Sequence, residues 1–74
     1  MMNTQKLLDT YMLVGPGLAR VKYEVFSWDE GLYAFITIYA YEPDFHVKGY
    51  DSLKLDEAVD IKEQIEGHFA ERYQ

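Results

Sequence analysis

The chain has 74 residues, with thirteen Asp and Glu against seven Lys and Arg for a net charge of −6, a balance that repels phosphate backbones and anionic lipid surfaces and argues against direct nucleic-acid or membrane binding. It contains no cysteine, so neither a disulfide nor a thiolate metal site can supplement the core, and an oxidising compartment is not implied. One domain is expected over residues 1–74, and a chain this short buries only about 60–65% of the surface it exposes when unfolded. Close helix packing or self-association then has to add stability.

The N-terminal stretch MMNTQKLLDTYM has no apolar run of signal-peptide length, and nowhere do the roughly 18 apolar residues of a membrane span occur. A cytoplasmic protein is expected. Asn3 or Thr4 can cap a first helix in which Leu7, Leu8, Tyr11 and Met12 share a stripe. Gly15, Pro16 and Gly17 then stop it. Neither a Walker lysine nor a three-glycine dinucleotide pattern follows, so the loop reads as a turn.

From Leu18 to Trp28 the residues alternate, with Val21, Tyr23 and Val25 on one face and Arg20, Lys22, Glu24, Phe26 and Trp28 on the other. Asp29, Glu30 and Gly31 form a hairpin turn. Leu32 to Tyr41 alternates more sharply: Leu32, Ala34, Ile36, Ile38 and Ala40 point one way, Tyr33, Phe35, Thr37, Tyr39 and Tyr41 the other. A two- or four-residue loop sets the aliphatic residues of both strands on one face, whereas a three-residue loop with Gly31 in a bulge places Lys22 and Glu24 opposite isoleucines. The first register is expected.

The segment DFHVK after Pro43 alternates and is long enough for a short third strand. GYDSL then turns the chain into a last helix capped by Asp51 or Ser52, with Leu55, Ala58, Val59, Ile65 and Phe69 on its apolar stripe and a weak point of about 1 kcal/mol at Gly67. The expected fold is α+β, a small antiparallel sheet flanked by N-terminal and C-terminal helices in the order αββα or αβββα. Two helices cover one face of such a sheet. Phe26, Trp28, Tyr33, Phe35, Tyr39 and Tyr41 are then left on the open face, either as a partner-binding surface or, if the helices straddle the sheet, as core.

Motifs for chemistry are weak. Glu42, Asp44 and His46 alternate as metal ligands could, yet no second histidine is near and a solvated loop is the plainer reading. No serine or threonine stands in a motif that sets a histidine against it, and the paired Asp29 and Glu30 fall in a turn. No enzyme, cofactor or metal is expected. Residues 51–74 hold seven acids against three bases, and Asp56, Asp60 and Glu63 recur at i, i+4, i+7 along the expected helix. Such a ridge is either a solvated helix face or a surface that enters a basic groove in place of phosphates.

Size, acidity and the lack of chemistry make the chain similar in character to the small inhibitors of phages and mobile elements, anti-CRISPR proteins and other nucleic-acid mimics among them. That resemblance is one of character, carried by no motif, and it assigns no residues. Taken with the residue pattern above, the expectation is an acidic protein-interaction module that binds and blocks a larger protein, a nucleic-acid-handling one among the candidates, with the aromatic face as anchor and Asp56, Asp60 and Glu63 for steering. The module is also expected to form a homodimer, and two alternatives to it stay open. One is a structural homodimer that buries the aromatic face against its own copy. The other is a small-molecule or nucleotide binder that uses that face, with Arg20 and Lys22 available to an anionic group.

Overall fold

A computed structural model describes residues 5–15 and 20–73. The elements run β1 (Lys6–Val14), β2 (Arg20–Trp28), β3 (Gly31–Ala40), β4 (His46–Leu55) and α1 (Ile61–Tyr73). The strands form one antiparallel meander in the order β1-β2-β3-β4. The architecture is α+β, but its order is ββββα.

The expected N-terminal helix is therefore corrected. Leu7, Leu8, Tyr11 and Met12 do fit a helical stripe, but a short apolar run fits either period, and Thr10, Tyr11 and Val14 suit a pleated surface. The free side of β2 settles the matter, because β1 pairs with that strand from Arg20 to Ser27, with one bulge. The caps assigned to Asn3 and Thr4, and the turn residues Pro16 and Gly17, lie outside the described residues.

The β2–β3 register is the expected one, with Val21 opposite Ile38, Tyr23 opposite Ile36 and Val25 opposite Ala34. Only Asp29 and Glu30 separate the paired Trp28 and Gly31. Among the described residues no non-glycine residue has a positive φ, and Gly31, at φ +127°, takes the conformation that closes the hairpin.

The expected third strand and the start of the expected last helix are one continuous β4. Tyr50, Ser52 and Lys54 pair with open-face residues of β3, while Asp51, Leu53 and Leu55 pair with its aliphatic residues. Two β-bulges interrupt the ladders. One makes Leu8 the extra residue on β1, and the other makes Lys48 the extra residue on β4.

The helix starts at Ile61, so Leu55 belongs to a strand and Ala58 and Val59 to an exposed turn. The core consists of Val21, Tyr23, Val25, Ala34, Ile36, Leu55, Ile65 and Phe69. Each large member contributes about 1.5–3 kcal/mol by leaving water. Ile61, Ile65, Phe69 and Tyr73, four residues apart, lay one stripe of α1 on the aliphatic face of the sheet. No helix among the described residues is long and apolar enough to cross a membrane.

Candidate functional site

With a single helix on one side, the other side of the sheet carries no covering element among the described residues. Its strand positions are occupied largely by apolar and aromatic side chains. The aromatic residues there form three groups along the sheet.

At the hairpin end, Phe26 stacks on Tyr33 with centroids 5.5 Å apart, and Trp28 meets Tyr33 edge-on at 5.9 Å. The Tyr33 hydroxyl donates to Gln5 Oε1 at 2.8 Å. Midway, Phe35 stacks on Tyr50 of the neighbouring strand at 5.6 Å. At the far end Phe45 lies against both Tyr39 and Tyr41, each at 5.1 Å. Of the six aromatic residues assigned to this face from the sequence, Phe26, Trp28, Tyr33, Phe35 and Tyr39 are at its strand positions, and Tyr41, just past β3, adjoins them through Phe45; all six are half-buried or exposed.

Tyr50 and Phe45 belong to it as well and were not assigned. Gly49, Asp51 and Ser52 look like a turn and hid the alternation that carries Tyr50. Both added residues are open to solvent, Phe45 at 58% and Tyr50 at 65% relative exposure. The layer is dense enough that Thr37, between Lys22 and Tyr50 on the same face, is only 5% exposed.

Two cations border the far group. The Arg20 guanidinium is 5.7 Å from the Tyr41 ring centroid, and the Lys22 ammonium is 5.7 Å from that of Tyr39. Lys22 is also 3.7 Å from Glu24. Interaction with the Tyr39 side chain, and more weakly with Glu24, holds the Lys22 ammonium above its ordinary value against partial desolvation. Of the thirteen acids in the chain, Glu24 is the only one at an open-face strand position, against Arg20, Lys22 and Lys54. The acidity of the molecule is thus kept to its loops, its helix and the covered side.

The acidic ridge is corrected. Asp56 and Asp60 precede α1, so no helical face joins them to Glu63. Asp56 Oδ1 accepts from the Ala58 N–H at 2.9 Å, and Asp60 Oδ2 caps the helix by accepting from the Glu63 N–H at 3.0 Å. Gln64 ties the turn together: its Oε1 accepts from the Asp56 N–H at 2.9 Å, and its Nε2 donates to the carbonyls of Asp56 at 2.8 Å and Val59 at 3.0 Å. These carboxylates hold the turn that enters α1, a local role that needs no partner. Asp51, expected as a cap, lies in β4 and meets the other end of α1, 3.5 Å from the Tyr73 hydroxyl and 3.7 Å from Arg72.

Beneath the sheet, the Tyr23 hydroxyl and His68 Nδ1 are 2.8 Å apart. Burial, then the charges around Tyr73 and Asp51, push the Tyr23 phenol well above its ordinary value. Burial, then Arg72, lower His68. Both groups are therefore neutral near pH 7. In the Glu42–His46 segment, His46 Nδ1 lies 2.6 Å from the Asp44 carbonyl oxygen. No group of three His, Asp or Glu side chains able to hold a metal ion occurs among the described residues.

The arrangement defines a two-layer α+β protein with one helix-covered face and one open aromatic face. Comparisons with protein-family models, with curated proteins and with solved structures found no match.

Proposed function

We propose that this chain is a protein-interaction module that inhibits a larger protein by covering part of its surface with the open sheet face. The observation that carries the reading is the segregation of charge: a chain of net charge −6 leaves three cations and one ion-paired acid on a face whose other strand positions are aromatic and aliphatic side chains with only Thr10, Thr37 and Ser52 among them. Selection for solubility alone does not empty a face of its acids and fill it with Phe, Tyr and Trp. Those ring types are the ones that concentrate binding energy in interfaces, because they bring large rigid area at little entropic cost.

The partner that fits is a protein surface of apolar groups edged by carboxylates, which would meet Arg20 and Lys22 at one end and Lys54 at the other. Within this reading Asp56 and Asp60 shape the entry to α1, Glu63 contributes its backbone N–H to the cap, and steering comes from the cations of the open face.

The test is photo-crosslinking in the source cells with a reactive side chain at Phe35, compared with one at Glu66 on the exposed side of α1. A protein adduct from position 35 that disappears with Arg20→Glu and Lys22→Glu supports the proposal. Adducts from position 66 alone, or nucleic acid captured at position 35, overturn it. Trp28 is the chain's single tryptophan and lies half-buried on this face, so its emission should shift to the blue and become shielded from acrylamide when the partner docks.

A further inference from the structure

The two edges of the sheet differ in a way that the open face does not explain. An unpaired strand edge offers a row of free N–H and C=O groups, and natural proteins guard such edges with charges, bulges, Pro or Gly. The β4 edge is guarded along its length. Lys48, Gly49, Asp51 and Lys54 punctuate it, and Lys48 is a bulged residue.

Within β1 the guarding features lie at its start, where Lys6, the bulge at Leu8 and Asp9 are found, and Gly15 follows its last residue. From Thr10 to Val14 it has no charge, no Pro, no Gly and no register shift. After Thr10 its side chains are apolar or aromatic on both sides of the sheet. Met12 and Val14 are 47% and 62% exposed on the open face, while Tyr11 and Leu13 are half-buried and pack against the outside of the core. A straight, uncharged edge of β-prone residues in a natural sequence is an edge meant to be paired.

We propose that β1 pairs antiparallel with β1 of a second copy of this chain, about a two-fold axis through Met12. Residues facing each other across an antiparallel ladder must share a face of the sheet, and this axis satisfies the requirement at every position. Thr10 meets Val14 and Met12 meets Met12 on the open face, while Tyr11 meets Leu13 on the helix side. Asp9 falls opposite Gly15 and meets no like charge.

The second copy is favoured over open-ended assembly by the other edge. Pairing β1 with β4 of the next chain would be heterologous and would propagate into a filament, whereas the guarded β4 leaves β1 with itself and the assembly closes at two. The result is a continuous eight-stranded sheet in which the two aromatic faces lie side by side. This dimer leaves the face of the proposed function free and doubles it, so a partner with repeated or symmetric sites would be held with avidity.

A single ladder of this length is a small contact, so the dimer should be weak and should appear as a concentration-dependent mass in light scattering across the micromolar to millimolar range. Met12→Lys and Met12→Glu each set like charges against each other on the axis, and each should raise the dissociation constant at least tenfold. Mixing the two variants should restore a heterodimer, a result that a misfolded variant cannot give. Between Thr10 and Val14, the alternate amides that point away from β2 should exchange more slowly as concentration rises.

Phe35→Lys, two strands away on the open face, should leave self-association unchanged. A chain that stays monomeric at millimolar concentration overturns the proposal. So does a dimer indifferent to charge at Met12 but lost with Phe35→Lys, which would mean that the open faces pair instead. Failure of the edge dimer leaves the crosslinking test at position 35 intact, so the two readings stand or fall separately.

Discussion

Tyr23 and His68 form a part-buried polar joint between the sheet and its only helix among the described residues, and the chemistry of that joint sets a pH dependence. His68 is faced by Tyr23 from β2, by Asp51 from β4 and by Tyr73, Arg72 and Glu71 from its own helix. Burial leads the effects on its ring and lowers its affinity for a proton in the folded state. The unfolded chain, with a histidine near its ordinary value of about 6.5, then takes the proton more readily. Stability should be fully present above about pH 6.5 and fall as pH drops through the lowered folded value. Protonation makes both ring nitrogens donors, so the Tyr23 hydroxyl must then accept from Nδ1. The opposite limb belongs to the tyrosines. Tyr23, Tyr73 and Tyr11 are all raised, chiefly by burial, so their contribution is complete below about pH 10 and is lost as pH rises through the folded values. Urea midpoints taken from pH 5 to 11 should trace both limbs. His68→Gln should flatten the fall between about pH 7 and 5, and an unchanged slope there would show that another group drives it. Tyr23→Phe should cost about 1 kcal/mol for the lost hydrogen bond and reduce the alkaline fall.

At the scale of the elements, α1 is short and depends on two buried anchors and a well-made first turn. Ile65→Ala should cost about 2–5 kcal/mol, enough to release much of the helix from a chain with a small margin. Asp60→Ala should cost about 1 kcal/mol and Asp60→Asn much less, because only the cap acceptor to the Glu63 N–H matters. Denaturant titration of the three variants against the parent orders these effects, and equal losses from Asp60→Ala and Asp60→Asn would mean that charge, not the cap, is the stabilising feature. The elements also show what was legible in the sequence. The β2–β3 hairpin could be read because its two faces differ in chemistry, aliphatic against aromatic, and only one register keeps them apart. The aromatic face and its six sequence-assigned members followed from that register. β1 could not be read, because Leu7, Leu8, Tyr11 and Met12 fit both periods and the deciding influence is a partner strand distant in sequence. β4 was half-read, since Gly49, Asp51 and Ser52 have the chemistry of a turn while the neighbouring β3 supplies the ladder. The same error placed Asp56 and Asp60 on a helical ridge and hid Tyr50 from the site.

As a whole molecule the protein is thin and has more surface than its mass requires. It measures 43 × 26 × 15 Å with a radius of gyration of 13.2 Å, against about 11 Å for a compact chain of this length. Its accessible area is 5205 Å², while a globular monomer of 8.7 kDa exposes about 4,700 Å². The excess is what a sheet with one uncovered face produces, and a second layer supplied by a partner would remove it. Four strands about 4.8 Å apart and nine or ten residues long give a face of roughly 600 Å² in plan, so covering it buries an area near that of standard interfaces, about 800 Å² per partner once side-chain relief is included. The charge pattern predicts how such a complex responds to salt. Arg20 and Lys22 border the aromatic layer and act on approach, at distances where screening is effective, whereas Phe35, Tyr39 and Tyr50 act after contact. Arg20→Glu with Lys22→Glu should therefore slow association with the partner at least tenfold at low ionic strength, and the difference should largely disappear near 1 M salt, where the screening length falls to about 3 Å. Phe35→Ala and Tyr50→Ala should instead speed dissociation, by an amount that salt barely changes. Stopped-flow traces of Trp28 emission at several salt concentrations separate the two effects. If reversing the cations alters only dissociation, they lie inside the contact and the acidic rim inferred for the partner is wrong.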